Sequence, residues 1–434
     1  MFKIKKSNVF CCSSKPKSIV ASALIFLIIA SCTPEKKPID TEKIQPPLKE
    51  IVIVDINTTL LNKQYIQHYY AGMQMALEEI NSTGGVNNLP LKLVILDDMG
   101  TYLEAYAKAN LAHEKYKALI LTGTYLPQTA EGVARYAKEN QIPFLNTGTP
   151  TESTIRGKNS SRWSFRLREG YDTHIKAISQ SIGGSQDVKS FTIVRYSNED
   201  GEYISQKLKS AVLAQGKEIN FAQDIIISPF QSNTNIVSSE IYNSYTAGVI
   251  IAINGPDLEQ LSLNLQRSST LASKKVYVMF AGEPEWLDSL GEQLTPKGWI
   301  VTGFPWYSIK TKANLDFYKK YNQRYKTNPR YASYLGYSSV LIIVEALTAA
   351  NINKNPGYFS KYREKLAKML ETTSAVTPMG IIQMQKDRQS NVGTYMGNLS
   401  PYNTQKNQGR NIILKLDVRM FNSTYIKYAP YKGN

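Results

Sequence analysis

The sequence predicts an α/β protein of two lobes, each built on a doubly wound parallel sheet. Three observations carry this. Residues 49–98 form a complete β-α-β unit. The same alternation of short apolar strand, polar loop and amphipathic helix continues to about residue 150, which is the pattern of a parallel sheet with helices on both faces. A second alternating block opens near Tyr171, and 434 residues suffice for two sheets of ordinary domain size.

The first unit starts with the β run Ile51–Ile56. A helix follows from about Tyr65 to Asn81, with Ile66, Tyr69, Tyr70, Met73, Ala76, Leu77 and Ile80 on one face. It stops at Gly84-Gly85, where glycine can take the left-handed cap conformation. The run Leu91–Leu96 returns as a strand and ends in Asp97-Asp98. Such a crossover is right-handed and its strands are parallel. Next come a helix over Leu103–Lys115, a strand over Ala118–Thr122, a helix carrying Ala130, Val133, Ala134 and Ala137 on one face, and a strand over Ile142–Leu145.

In the second block the expected strands are Phe191–Arg195, Asp224–Ile227, Gly248–Ile253, Val276–Phe280 and Ile300–Thr302. Helices are expected over Tyr203–Leu213 and Pro256–Arg267. Helical patterning then takes over in Ala313–Tyr325, Tyr334–Ala350 and Phe359–Leu370. A last β run occupies Ile412–Leu416, after an Asn- and Gln-rich loop over Pro401–Arg410.

The N-terminus reads as an export signal. A basic segment precedes the apolar run Ile19–Ala30, which is too short to span a bilayer and fits a signal-peptide core. Ile29-Ala30-Ser31-Cys32 is similar to the lipobox of bacterial lipoproteins. That likeness implies cleavage before Cys32 and a lipidated Cys32 as the sole remaining cysteine, with no disulfide. Each buried CH₂ of the acyl chains would add about 0.8 kcal/mol of membrane attachment. Residues 33–49, with four prolines, read as an extended tether.

Composition narrows the function. Hydrophobic content of 42% and charged content of 20% describe a folded globular chain. The formal charge is +16, but five of the positive residues lie in the leader, and the rest are scattered rather than gathered in a stripe. Nucleic-acid binding is therefore not expected. There is no Walker-type loop, no G-x-G-x-x-G, no G-x-S-x-G and no H-E-x-x-H. His68, His113 and His174 fall in different elements, so no metal site is expected. Asp97 and Asp98 are adjacent on a strand end and point apart, which suits loop ordering rather than a shared proton. No cofactor and no catalysis are expected.

In open α/β sheets, ligands bind beyond the carboxyl ends of the strands. Those ends are Gly123–Thr129 and Asn146–Thr151 in the first lobe, and Tyr196–Gly201, Ile253–Pro256 and Ala281–Glu285 in the second. A cleft lined by them offers backbone N–H groups and helix N-termini that suit a carboxylate.

Tyr65, Gly72 and the phrase Glu78-Glu79-Ile80-Asn81, followed by Gly84-Gly85-Val86-Asn87 and the paired aspartates, resemble the opening of type I periplasmic solute-binding proteins. These are the branched-chain amino-acid and amide binders of ABC importers, here in lipoprotein form. The resemblance runs from about residue 50 to about 385. It implies three crossings between lobes, placed near Arg168–Asp172, Thr302–Trp306 and Met384–Asn391. The expected organisation is a leader over 1–31, a tether over 32–49, a first lobe over 50–170, a second lobe over 171–302, a return to the first lobe over 303–385, and completion of the second lobe with the tail over 386–434.

The resemblance also implies ligand-binding residues. Tyr65 matches a site tyrosine. The hydroxyl position in the loop after the third strand falls at Pro127, with Gln128 and Thr129 beside it. Gly148, Thr149 and Thr151 match the segment that holds a ligand carboxylate, with either threonine able to supply the hydroxyl. Asp172 sits at the lobe junction, Asp200 and Asn254 stand at further site positions, and Glu283 matches the acid that pairs with a ligand ammonium. Four of them have a plainer reading: a packing aromatic for Tyr65, loop-bonded hydroxyls for Thr149 and Thr151, a helix N-cap or first-turn acid for Glu283. Tyr125, Trp306 and Tyr307 are either cleft aromatics or packing residues. The expected function is capture of a small polar solute, an amino acid, amide or relative, by a monomer that delivers it to an ABC permease from the cell envelope. Lipidation and the altered site residues leave a second reading, an envelope lipoprotein that senses for or regulates a partner such as a cell-wall enzyme.

Overall fold

The structure is a computed structural model that describes residues 46–421 apart from 61–62, 158, 186, 217, 231–232, 268–270, 272, 284–295, 356–357 and 400–418. The leader, Cys32, the tether up to residue 45, the expected loop at Pro401–Arg410 and the expected strand at Ile412–Leu416 lie outside the described residues; the tether's last residues are not free, since Leu48 N–H donates to Lys354 O at 2.7 Å.

The first sheet has the order β2-β1-β3-β4-β5, all parallel, with β1 Ile51–Asn57, β2 Leu91–Asp97, β3 Ile120–Gly123, β4 Phe144–Asn146 and β5 Ser164–Arg166. β1 lies between β2 and β3 and is almost wholly buried because helices cover both faces, while β2 at the edge is half-exposed. Helices α1 (Lys63–Ser82), α2 (Tyr102–Glu114), α3 (Pro127–Asn140) and the short α4 (Ser153–Arg156) fill the connections. α1 ends where Gly85 takes φ +72° and a Cβ would sit 2.0 Å from Leu89 O, so the turn needs glycine.

The second sheet has the order β14-β13-β10-β9-β8-β6-β7. The strands β6 (Ser190–Tyr196), β7 (Asn220–Ile227), β8 (Gly248–Ala252), β9 (Lys275–Val278) and β10 (Ile300–Gly303) are parallel. They are linked by α6 (Glu199–Leu213), α7 (Thr234–Asn243) and α8 (Gly255–Arg267), with α5 (Tyr171–Gly184) leading in. The far edge departs from the all-parallel expectation. β13 (Thr394–Asn398) pairs antiparallel with β10, and β14 (Arg419–Phe421) antiparallel with β13 in turn. The chain reaches β13 directly from a crossing rather than through a covering helix, so nothing forces the parallel direction.

Between β10 and β13 the chain returns to the first sheet as α9 (Lys312–Tyr325), α10 (Tyr331–Ala349), α11 (Phe359–Leu370) and the hairpin β11–β12 (Ser374–Thr377, Gly380–Gln383). α10 is long and apolar enough to cross a membrane, but most of it is buried in the first lobe. It packs on α1 at very close range. A Cβ on Gly336 would lie 2.1 Å from Tyr69 O, and one on Gly72 2.1 Å from Ser333 O. A glycine on each helix is what lets the two backbones touch.

Three segments join the sheets: residues 167–170, 304–311 and 384–393. Arg166, fully buried at the end of β5, ties the first to the third. Its Nη1 donates to Pro150 O and Thr151 O at 2.6 Å, its Nη2 to Glu152 at 3.0 Å and its Nε to Gln389. Gln389 donates back to Arg168 O at 2.8 Å. The second crossing is held by Phe304, stacked on Tyr331 at 5.0 Å.

Candidate functional site

The carboxyl ends of the parallel strands from both sheets open onto one cleft of about 1000 Å³. The first lobe supplies Thr58, Leu60 and Tyr65 after β1, Asp97 and Met99 after β2, Tyr125 to Gln128 after β3, Gly148 to Pro150 after β4 and Arg168 after β5. The second supplies Tyr171, Tyr196 and Asn198, Pro229 and Phe230, Asn254 to Pro256, and Phe280 with Glu283. The start of α10 adds Arg330 to Ala332. This is the position that parallel α/β sheets dictate for a ligand.

Of the residues singled out from the sequence, Tyr65, Gln128, Gly148, Thr149, Asn254 and Glu283 line this cleft. Tyr65 projects from the first turn of α1, tilted against Tyr125 at 4.8 Å and stacked on Tyr69 at 6.3 Å. Burial raises its phenol pKa, against the pull of Arg168. Gln128 reaches back to Gly100 O at 3.1 Å and clips the loop after β2. Asn254 is held through its backbone, whose carbonyl accepts from Tyr196 Oη at 3.0 Å.

The other four do not line it, and each side chain is used elsewhere. Thr129 is buried in the first turn of α3 and donates to Leu126 O at 3.1 Å. Thr151 donates to Asp200 Oδ1 at 2.9 Å, and Tyr171 donates to Asp200 Oδ2 at 3.1 Å. Asp200 therefore links the two lobes: it sits at the start of α6 and is bonded to the loop after β4. Burial pushes its carboxyl up to about 6. Asp172 accepts from Tyr203 Oη at 2.5 Å and lies 3.6 Å from Arg156 of α4, a second link across the lobes. Trp306 stacks on Tyr318 at 5.8 Å, and Tyr307 bonds Gly282 O at 3.4 Å. Neither lines the cleft.

Asp97 and Asp98 order the loops at the cleft's edge. Asp97 accepts from Thr59 and from Met99 N, and Asp98 from Thr58 Oγ1 at 2.6 Å and Gly100 N at 2.9 Å. The three histidines are separate: His68 bonds Tyr321 at 2.8 Å, His113 Tyr136 at 2.9 Å and His174 Thr302 at 2.8 Å.

Sequence reasoning missed the charged centre of the site. Arg168 is 7% exposed and lines the cleft from the first crossing. Its Nη1 donates to Gly148 O at 2.8 Å and its Nη2 to Glu169 at 2.9 Å, and its guanidinium lies over the Tyr331 ring at 5.4 Å. Glu169 also accepts from Tyr331 Oη and approaches His174 Nε2 at 3.3 Å. Burial drives the Glu169 carboxyl up, but Arg168, His174 and Tyr331 together overcome it and hold it down at about 2. Consecutive charged residues between a strand and a helix were the available signal. Only the fold shows them to be buried.

Residues 63–400 match the family model described as periplasmic binding protein. A sequence search against curated proteins finds no match. Among solved structures, the chain is similar to an ABC transporter substrate-binding protein from Sphaerobacter thermophilus at 15% identity, covering 86% of this chain and 98% of that one with a TM-score of 0.74. A solute-binding protein of an ABC transporter from Rhodopseudomonas palustris, solved with 3,4-dihydroxybenzoic acid, aligns at 12% identity over 86% and 98%, TM-score 0.74. A leucine-binding protein from Thermotoga maritima aligns at 17% identity over 87% and 100%, TM-score 0.69. At these identities the likeness is one of fold. The family match, by contrast, runs through both sheets and all three crossings, and the chain belongs to the periplasmic binding protein family.

Proposed function

We propose that this protein is the solute-binding component of an ABC importer, held at the cell envelope by a lipidated Cys32. It takes up a small polar solute, an amino acid, amide or relative, between its lobes and presents it to the permease without making or breaking a bond. The observation that supports this most is the cleft itself. It is of the size small-molecule sites have, and loop tips of both sheets line it. Thr149 stands on the first-lobe wall and Glu283 on the second.

The mechanism is differential binding. A solute that touches both walls binds the closed form better than the open one, and so shifts the population toward closure. Three crossing segments let the lobes move as bodies while Arg166 and Gln389 keep two of the crossings in step. An open cleft favours this over a regulator whose cleft is filled by its own side chains.

Denaturing the purified protein and identifying released small molecules by mass spectrometry tests the reading, with equilibrium dialysis against amino acids, amides and short peptides beside it. One tightly held solute per chain is expected. An empty protein that binds nothing in dialysis, and that crosslinks instead to a cell-wall enzyme, would overturn it.

A further inference from the structure

The amino ends of the first sheet's strands carry a basic face, on the side of the lobe away from the cleft. α11 supplies its centre. Phe359, Tyr362, Leu366 and Leu370 bury one side of that helix. Lys361, Lys365 and Lys368 stand exposed on the other, at the i, i+4, i+7 spacing of one stripe. Three contacts fix where the stripe lies. Arg363, on the buried side, donates to Ala118 O at 3.1 Å, just before β3. Glu364, between the lysines, lies 3.7 Å from Arg162, just before β5. Tyr362 Oη donates to Asn355 O at 3.0 Å, which brings the exposed Lys354 alongside. The strands are parallel, so their amino ends share one side, and the cleft lies at their carboxyl ends on the other.

The folded chain also begins at this face. Leu48 N–H donates to Lys354 O at 2.7 Å, and the exposed Lys49 follows just before β1. Lysines that lie far apart in the sequence are thus gathered by the fold: Lys49, Lys354, Lys361, Lys365 and Lys368. Acids at this end of the lobe are matched by other cations. Glu364 has Arg162, Glu114 lies 3.9 Å from Lys117, and Glu50 lies 2.8 Å from Lys92. Glu371 at the end of α11 is half-buried.

We infer that this face rests on an anionic lipid surface, the membrane that carries the Cys32 anchor, and so turns the cleft away from the bilayer. The inference rests on the lipid anchor proposed above and adds how the folded part sits on that membrane. Exposed lysines are attracted by the negative potential of anionic headgroups, and a basic patch complements acyl chains in holding a protein at a surface. The cleft then opens to the aqueous side, and presentation to the permease requires the face to lift. A contact made by exposed charges permits that, because salt screens it and no packed interface has to be broken.

The test is lysine acylation of the full chain as isolated from the envelope, reconstituted into vesicles and read by peptide mass spectrometry. One set of vesicles is phosphatidylcholine alone, the other is mixed with phosphatidylglycerol. Three lysines near an anionic surface give a preference of about 100-fold over a neutral one. Acylation of Lys361, Lys365 and Lys368 is therefore expected to fall about 10-fold or more on the mixed vesicles, and to recover in about 1 M salt. The exposed Lys207 of α6 and Lys312 of α9 should be unchanged. This comparison needs no variant. Lys361→Glu with Lys365→Glu should restore acylation of Lys354 and Lys368, with the urea midpoint unchanged because both side chains are exposed. Equal acylation on the two vesicles overturns the inference, as does equal protection of Lys207 and Lys312. Protection on neutral vesicles that grows with protein density assigns the face to a second copy and overturns it too. The mass of the N-terminal peptide reports lipidation, and solute released on denaturation reports capture, so failure of either is seen separately. A chain without lipid that is still protected when mixed with the anionic vesicles supports the lipid-facing surface and overturns the anchor.

Discussion

Replacing Gly336 by alanine probes how the first lobe sets the cleft wall. The added Cβ would lie 2.1 Å from Tyr69 O, 3.0 Å from Tyr69 C and 3.2 Å from Met73 Cγ. Non-bonded contact is comfortable at about 3.5 Å, so α1 and α10 must separate by roughly 1.4 Å or distort locally. Neither obstacle at Tyr69 is a flexible side chain, so neither can swing aside. Overpacking of this kind costs about 1–3 kcal/mol, and helix propensity returns up to about 1 kcal/mol for Gly→Ala. The net expectation is a loss of about 1 kcal/mol in urea unfolding, with the m value unchanged. Gly184→Ala at the end of α5 is the control, since nothing lies within 4 Å of its added Cβ. It should be neutral or slightly stabilising. Gly72→Ala should resemble Gly336→Ala, because its Cβ meets Ser333 O at 2.1 Å. The double variant should lose less than the sum, since one separation relieves both clashes. The effect reaches the cleft: Tyr69 Oη bonds Asp55 at 3.0 Å and Thr147 at 2.6 Å, and Tyr65 stacks on the Tyr69 ring. Gly336→Ala as stable as the wild type would refute the close helix approach.

Two further outcomes are expected. Burial raises the Asp55 carboxyl from 3.8 to about 6 against the hydrogen bonds of Tyr70, Tyr69 and Asn57. The folded form thus binds the extra proton, so this contribution to stability is present below pH 3.8 and is lost as pH rises through 6. The shift corresponds to about 3 kcal/mol. The stability of the wild type relative to Asp55→Asn should therefore fall by up to that amount between pH 4 and 7 in urea titrations; a flat difference contradicts it. The comparison cancels His68, whose lowered pKa of about 4 acts in the opposite direction over the same window. Second, Thr151→Val removes the hydroxyl that ties the loop after β4 to Asp200. A bond to a charged group contributes about 1.5–3 kcal/mol, so solute affinity should weaken about 10- to 100-fold, with Thr151→Ser close to wild type. Unchanged affinity would show that the link does not favour closure.

The sheets were legible because their signals are local. Ile51–Ile56 and Leu91–Leu96 are apolar runs bounded by turn residues, and α1 repeats at the helical period. Shorter elements were not: β5 is three residues, Ser-Phe-Arg, and the hairpin β11–β12 exposes Val376 and Ile381. No window of that length separates strand from loop. The cleft was legible as a set of strand ends, since topology dictates where ligands sit. What those loops do with their own donors was not. The pairing of Thr151 with Asp200 spans 49 residues, and that of Tyr331 with Glu169 spans 162. Periodicity names the face a residue occupies, not its partner across the lobes. Arg168 was hidden for the same reason, because an arginine beside a glutamate reads as surface until the crossing buries it.

The central claim is that two hinged lobes close on one solute. Small-angle X-ray scattering of the protein, titrated with the solute released from it, tests this most directly. The account predicts a fall in radius of gyration that saturates at one solute per chain. A scattering curve that is unchanged at saturating solute would contradict it.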